Sequence, residues 1–169
     1  MRRLFVLRHA KSSWDDPALA DHERPLTRRG ARAAERIAAL LSAHPSPPQL
    51  ALCSTARRAL DTLAPIRAQL ALRCAIEAGL YLASSEALLA RLTRLDAAES
   101  SVLLIGHNPG LHEGLLALVG SGKARLRSRL AERFPTAALA EVEIGVAAWS
   151  GLGPGCGRLV ALTFARDLD

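Results

Sequence analysis

The sequence predicts an α/β fold, a three-layer α/β/α sandwich with a mostly parallel central sheet and an antiparallel edge near the C-terminus. Three observations predict it. Short apolar runs alternate with segments in which apolar residues recur at helical spacing. The run 102–105 is apolar throughout, which is typical of a strand covered on both faces. The last third holds two strand-like runs in succession, and this pair predicts the antiparallel edge.

The first half of the chain alternates between strands and helices. The first helix has Thr27 as a fitting N-cap, and its apolar residues then repeat at helical spacing. The predicted elements are a strand over 4–7, a polar loop over 11–25, a helix after Thr27, a strand over 49–53, a helix over 55–70 and a short strand at 74–76.

The second half continues this alternation and then changes. A glycine-rich run over 151–157 separates the last two strands, and because a strand follows it, we expect a hairpin turn and not a nucleotide-binding loop. The predicted elements are a helix over 84–95, a strand over 101–106, helices over 111–119 and 123–133, and strands over 138–149 and 158–165.

Composition limits the class of protein. Half of the 169 residues are hydrophobic, which favours one folded domain over residues 1–169. The three cysteines are odd in number and none are paired as CxxC, so neither a disulfide framework nor a zinc knuckle is expected. No signal peptide and no apolar stretch of membrane-spanning length is visible. We therefore expect a cytoplasmic protein with no membrane partner.

Charge favours a phosphate-bearing partner. The formal net charge is +6, and all but two of the 22 basic residues are arginines, whose planar fork matches phosphate oxygens. A nucleic-acid partner is not expected, because the basic segment 123–133 has no interleaved aromatic residue and contains Glu132. A solvated helix face beside the active site, able to help dock an acidic protein, is the favoured interpretation.

Histidines and arginines follow the ends of the predicted strands. Arg8 and His9 follow the first strand, His107 follows the strand over 101–106, and Arg58 lies in the helix after Ser54. If these strands are neighbours, their carboxyl ends bring the four side chains into one pocket. Arginines neutralise phosphoryl oxygens, and an imidazole kept neutral by cationic neighbours can attack phosphorus. Because crowded arginines oppose a dication, we expect no metal and no cofactor.

Four stretches of this chain resemble the histidine phosphatase, or phosphoglycerate-mutase-like, superfamily. Arg8-His9-Ala10 is similar to its Arg-His-Gly signature. The other three are Arg24 to Gly30, the block from Ser54 to Thr62, and Gly106-His107-Asn108-Pro109. The small SixA-type phosphohistidine phosphatases resemble the chain most, since many also begin Arg-His-Ala-Lys-Ser. Their segment near the end is similar to Phe134 to Ala138.

The resemblance implies a role for each matched residue. His9 is the expected phosphate-accepting nucleophile, and Arg8, Arg58 and His107 complete the expected catalytic set. Arg24 and Asn108 are the expected substrate-binding residues. The Ser54 block departs from the family pattern in having Thr55 for proline and Asp61 for glutamine, neither of which falls on the phosphate-binding position.

The general acid of larger family members has no clear counterpart. Only Glu77 and Glu86 lie in the corresponding region, and there is no inserted segment. A missing acid and an open pocket suit phosphohistidine, because an imidazole departs more easily than an alkoxide.

We therefore expect a cofactor-independent phosphatase acting on phosphohistidine of a protein through a phosphohistidine intermediate on His9. The alternatives are a broad-specificity phosphomonoesterase acting on small metabolites and an inactive phosphate-binding module. A sugar-phosphate mutase is not favoured, because no insertion is present to enclose a bisphosphate.

Overall fold

In the computed structural model, which describes residues 1–169, seven strands form one sheet and five α-helices cover it. The strands are β1 (Arg2–Arg8), β2 (Leu50–Ser54), β3 (Arg73–Glu77), β4 (Ser101–Gly106), β5 (Val119–Gly122), β6 (Leu139–Ile144) and β7 (Gly157–Thr163). The helices are α1 (Arg28–Ser42), α2 (Arg57–Gln69), α3 (Ser85–Thr93), α4 (Gly110–Leu118) and α5 (Ala124–Glu132).

Every predicted strand and helix is present, with ends that differ by a few residues. Thr27 caps α1 as predicted, and its hydroxyl accepts a hydrogen bond from Gly30 N. The predicted strand over 138–149 was too long: β6 ends at Ile144, and Trp149 begins a short 3-10 turn. No pattern in the sequence predicts β5, a Val-Gly-Ser-Gly segment without strand periodicity, which becomes a strand by pairing with β7.

The strand order is β3-β2-β4-β1-β6-β7-β5. All neighbouring strands pair in parallel except β6, which runs antiparallel to both β1 and β7. This confirms the mostly parallel sheet and the antiparallel pairing of the last two strands. The outermost strand on that side is β5, so the antiparallel pair lies one strand inside the edge.

Alternate residues of the central strands build two cores, one on each face of the sheet. Phe5 and Leu7 of β1 pack with α1 and α2, where Ile37 and Leu63 are fully buried. Leu4 and Val6 face the other core, to which α3, α4 and α5 contribute leucines. Burial on both faces explains why β4 is apolar throughout and confirms the three-layer arrangement.

The carboxyl ends of β2, β4 and β1, which are adjacent in that order, meet at one edge of the sheet. The adjacency required by the sequence argument is therefore present, and the polar residues after these strands converge. None of the helices combines the length and the apolar character that a membrane span requires.

Candidate active site

The strand register brings the two predicted histidines together. Arg8 lies opposite Gly106, so His9 and His107 leave neighbouring strands at the same level. Their ring centroids are 5.2 Å apart. Ser54, the last residue of β2, lies beside them, and its Oγ is 2.7 Å from His107 Nε2.

The two rings open onto a cavity of about 320 Å³, here called the phosphoryl pocket. Its wall includes all six predicted site residues, namely Arg8, His9, Arg24, Arg58, His107 and Asn108. Lys11 adds a further cation, and no carboxylate lines the wall. The pocket therefore attracts anions.

His9 is held with one ring nitrogen facing the arginine. Its Nδ1 lies 2.8 Å from the Ala10 carbonyl oxygen, which places the proton on Nδ1. Nε2 then carries the lone pair and accepts a hydrogen bond from Arg58 Nε at 3.3 Å. Burial, reinforced by the charge of Arg58, lowers the pKa of His9 to about 4. At neutral pH the His9 ring is therefore uncharged. Burial lowers the pKa of His9 more than the arginine charges do, whereas the sequence analysis named only the cationic neighbours as the cause.

His107 is neutral for related reasons. Burial, followed by the charges of His9 and Arg58, lowers its pKa to about 3. Its Nδ1 faces Arg58 Nη2 at 3.5 Å, and its Nε2 contacts the Ser54 hydroxyl. Because a hydroxyl donates as well as accepts, Ser54 permits either tautomer of His107, including the one that presents an Nδ1 proton to the pocket.

Asp21 holds the arginines in place. Its Oδ2 accepts hydrogen bonds from Arg58 Nη2 at 3.0 Å and from the Tyr81 hydroxyl at 2.5 Å, and its Oδ1 accepts from Arg24 Nη2 at 3.0 Å. These bonds, that of Tyr81 first, lower the pKa of Asp21 to about 2. The ionised carboxylate therefore orients both guanidiniums. In the sequence Asp21 lies three positions before Arg24, and nothing there indicates a contact with Tyr81.

Arg24 uses most of its guanidinium N–H groups in hydrogen bonds within the protein. Besides Asp21, it donates to Ser12 Oγ at 2.8 Å and to the Ser13 carbonyl at 3.2 Å. The guanidinium carbon of Arg24 lies 3.5 Å from the centre of the Trp14 ring, which stacks over it. The guanidinium charge is thus fixed at the pocket wall while the loop after β1 is folded around it.

Arg8 and Asn108 share one acceptor on the far side of the pocket. Asn108 Nδ2 donates to the Phe134 carbonyl at 2.7 Å, and Arg8 Nη1 donates to the same oxygen at 3.3 Å. Burial, followed by the charge of Arg58, lowers the pKa of Arg8. The Asn108 amide nitrogen is therefore engaged with the segment after α5.

Two distant segments of the chain form hydrogen bonds with the turn that carries His9. Ala10 N donates to Thr62 Oγ1 at 3.0 Å, which ties the turn to α2. Ala137 N lies 3.1 Å from both the Arg8 and the His9 carbonyls, and Ala137 adopts a left-handed φ of 57°. Contacts from distant segments therefore fix the position of His9.

The two candidate acids lie outside the phosphoryl pocket. Glu77 forms a bidentate ion pair with Arg91, in which Oε1 accepts from Arg91 Nη2 at 2.7 Å and Oε2 accepts from Arg91 Nε at 2.8 Å. Glu86 is exposed in the first turn of α3, and its own backbone N–H lowers its pKa. The structure brings neither carboxyl group to His9.

Comparisons with known proteins agree with this geometry. Residues 4–81 match the model of the histidine phosphatase superfamily, branch 1. The solved structure of the putative phosphohistidine phosphatase SixA from Agrobacterium tumefaciens is 30% identical to this chain. The match covers 96% of this chain and 97% of that one, with a TM-score of 0.82. The chain belongs to the histidine phosphatase superfamily.

Two further relatives span nearly the same length. The putative phosphohistidine phosphatase SixA from Nakamurella multipartitia is 27% identical over 96% of this chain and 95% of its own, with a TM-score of 0.82. An uncharacterised protein of Mycobacterium tuberculosis is 33% identical over 162 residues, which is 95% of this chain and 100% of that protein. This histidine phosphatase is therefore SixA-like in fold and is a phosphate-releasing hydrolase.

Proposed function

We propose that this histidine phosphatase hydrolyses phosphohistidine on a protein, through a phosphohistidine intermediate on His9. The observation that carries the proposal is that the phosphoryl pocket offers no protonated carboxyl group. No carboxylate lines it. Asp21, the carboxylate that contacts Arg58 and Arg24, has its pKa lowered to about 2 and is ionised at neutral pH. Both histidines are neutral for the reasons given above.

The lack of a protonated carboxyl group favours one class of leaving group. An alkoxide is strongly basic and requires a proton as it departs, whereas an imidazole whose second ring nitrogen is protonated departs as a neutral molecule. The imidazole pKa lies near 6.5, so solvent supplies that proton at neutral pH. A phosphohistidine therefore reacts in this pocket without a donor from the enzyme.

His9 Nε2 is the attacking atom. It forms a bond to phosphorus while the phosphorus–nitrogen bond of the substrate breaks, and the bonding electron pair passes to the departing imidazole. Water then attacks the phosphorus of phosphorylated His9, gives its proton to the released phosphate and restores the neutral ring. The hydrogen bond from Nδ1 to the Ala10 carbonyl keeps Nε2 directed into the pocket throughout.

The arginines stabilise the charge on the transferring group. In the free enzyme Arg58 donates through Nε and Nη2 to the two histidine rings, at 3.3 and 3.5 Å. A phosphoryl group between the rings takes over both donors, because a charged acceptor binds a guanidinium more strongly than a neutral ring nitrogen. Arg8 and an Nδ1-protonated His107 complete the ring of donors around its oxygens.

The rim of the pocket suits a macromolecular substrate. Its two apolar wall residues, Trp14 and Leu82, are 75% and 56% exposed. No element of the chain covers them. A phosphohistidine carried on another protein can therefore reach His9 without the opening of a lid.

The test compares a histidine-phosphorylated protein with an aryl phosphate, using the native chain, His9→Ala and a control, His44→Ala. His44 lies outside the phosphoryl pocket, against Glu141 and Phe5. The native chain and the control should prefer the phosphohistidine. His9→Ala should lose at least about 10⁴-fold in kcat and should form no acid-labile phosphoenzyme in a rapid quench.

Equal or better turnover of the aryl ester by the native chain would move the substrate to small phosphomonoesters and leave the mechanism intact. Phosphate binding without release from either substrate would instead indicate an inactive binding module. Substantial turnover by His9→Ala would contradict the assignment of the nucleophile.

A further inference from the structure

A second cavity, of about 400 Å³, lies next to the phosphoryl pocket and shares Lys11 and Thr136 with it. It is here called the cationic groove and is defined by four exposed basic residues in its wall, Lys11, Arg29, Arg133 and Arg166. No acidic residue lines it. The four side chains come from separate parts of the chain, so only the fold brings them together.

None of these four side chains has an anion within ion-pair distance, although the charge of Arg166 contributes to lowering the pKa of Asp167. No ion pair and no side-chain hydrogen bond involves them, whereas the nearby Arg129 is paired with Asp167 at 2.7 Å. The guanidinium carbons of Arg133 and Arg166 lie 5.7 and 5.8 Å from the centre of the Phe164 ring, which orients them. Like charges gathered in this way repel one another, and an incoming anionic group relieves that repulsion.

The form of the groove favours an acidic protein segment over other anions. All four cations are exposed and no buried donor accompanies them, which is unlike a cage for a small ion. Its aromatic residue, Phe164, is 1% exposed and offers no face for stacking a base, so single-stranded nucleic acid is not favoured.

We propose that the cationic groove binds acidic side chains of the phosphorylated protein, close in sequence or in space to its phosphohistidine. This proposal rests on the proposed function, since it concerns the substrate of the same site. Because the two cavities share wall residues, a chain leaving the phosphoryl pocket at about 3.3 Å per residue enters the groove within a few residues.

The test uses two synthetic phosphohistidine peptides of equal length that differ only in having glutamate or glutamine around the histidine. The groove variant is Arg29→Gln with Arg166→Gln. The control variant is Arg67→Gln with Arg94→Gln, two exposed arginines without ion pairs that lie outside both cavities. Thermal unfolding of each variant checks that the fold is retained.

The native enzyme and the control should prefer the glutamate peptide by about threefold to tenfold in kcat/KM, the range expected for two exposed charge pairs. The groove variant should lose most of that preference. Raising the salt concentration should also reduce the preference, because the charges are screened. A preference that is absent in the native enzyme, or unchanged in the groove variant, would overturn the proposal.

A binding measurement separates failure of the groove from failure of the proposed function. Fluorescence anisotropy of the labelled, unphosphorylated glutamate peptide does not depend on turnover. Weaker binding to the groove variant than to the control would support the groove even if neither phosphopeptide were hydrolysed, an outcome that would reject only the proposed function. Equal binding to both variants, or displacement of the peptide by a thymidine oligonucleotide at lower concentration than by unlabelled peptide, would overturn it.

Discussion

Replacing Asp21 with asparagine tests whether one carboxylate positions the phosphate-binding arginines. The change keeps the size of the side chain but removes the charge that Arg58 and Arg24 approach at 3.0 Å. It also gives the Tyr81 hydroxyl an amide neighbour in place of a carboxylate oxygen. Arg58 then keeps its hydrogen bond to the backbone carbonyl of residue 21 at 2.7 Å but loses the charged acceptor on Nη2, so its guanidinium is held less firmly. The net positive charge of the pocket increases.

The expected losses in kcat and in stability can both be sized from the structure. A displacement of about 1 Å in a catalytic group costs about 10²-fold, so kcat should fall by about that factor. The drop in the pKa of Asp21 from 3.8 to about 2 corresponds to about 2 kcal/mol of stability. Because 43% of the side chain is exposed, screening reduces the expected loss to about 1 kcal/mol.

The loss of stability in Asp21→Asn should depend on pH in a defined direction. A carboxyl group whose pKa is depressed on folding stabilises the protein above its unfolded pKa and loses that contribution as the pH falls. The difference in unfolding free energy between Asp21→Asn and the native chain should therefore be full above pH 4 and disappear toward pH 2.

The assay measures kcat, KM and inhibition by inorganic phosphate, with Asp15→Asn as the control. Asp15 is exposed in the same loop, and its carboxylate makes no hydrogen bond. Phosphate should inhibit Asp21→Asn at least as strongly as it inhibits the native enzyme, because a negative charge has been removed near the pocket. Native turnover in Asp21→Asn, or an equal loss in Asp15→Asn, would refute the reasoning.

Three further predictions concern the histidines and the turn that carries them. NMR titration of the free enzyme should place the His9 pKa near 4 and the His107 pKa near 3. The unfolding free energy should decrease as the pH falls from 6.5 toward those values, because in that range only the unfolded chain takes up protons on these histidines. Titration midpoints near 6.5 for the two histidines would contradict this prediction. Ser54→Ala removes the hydroxyl 2.7 Å from the His107 ring and should lower kcat by about threefold to tenfold with little change in KM; a change in KM alone would argue against a positioning role. In Gly30→Ala the new methyl group would lie 2.1 Å from a backbone carbonyl oxygen of the loop after β1, so urea unfolding should show a loss of about 1–3 kcal/mol. Gly145→Ala, where nothing lies within 4 Å, should stay within about 0.5 kcal/mol, and equal stability of the two variants would refute the steric argument.

The sequence was most informative where local pattern decides structure. The apolar run of β4, the cap at Thr27 and the polar residues after β1 and β4 are each readable within a few positions. Parallel strands deliver their carboxyl ends to one edge, so the meeting of His9 and His107 followed from the pattern. A single domain over residues 1–169 and the catalytic roles of the site residues stay predictions.

Long-range contacts explain what the sequence did not show. The bond from Tyr81 to Asp21 joins residues 60 positions apart, and neither stands out in its own segment. The glycine-containing β5 is a strand only because β7 lies beside it.

The sequence by itself determined the alternating elements, the apolar cores and the identity of the residues after each strand, because these depend on periodicity and on short spacing. Only the tertiary structure decided which charges meet. It paired Asp21 with the arginines of the phosphoryl pocket and left the four cations of the groove without an ion-pair partner. Electrostatic interaction depends on distance in space, and the fold alone sets that distance.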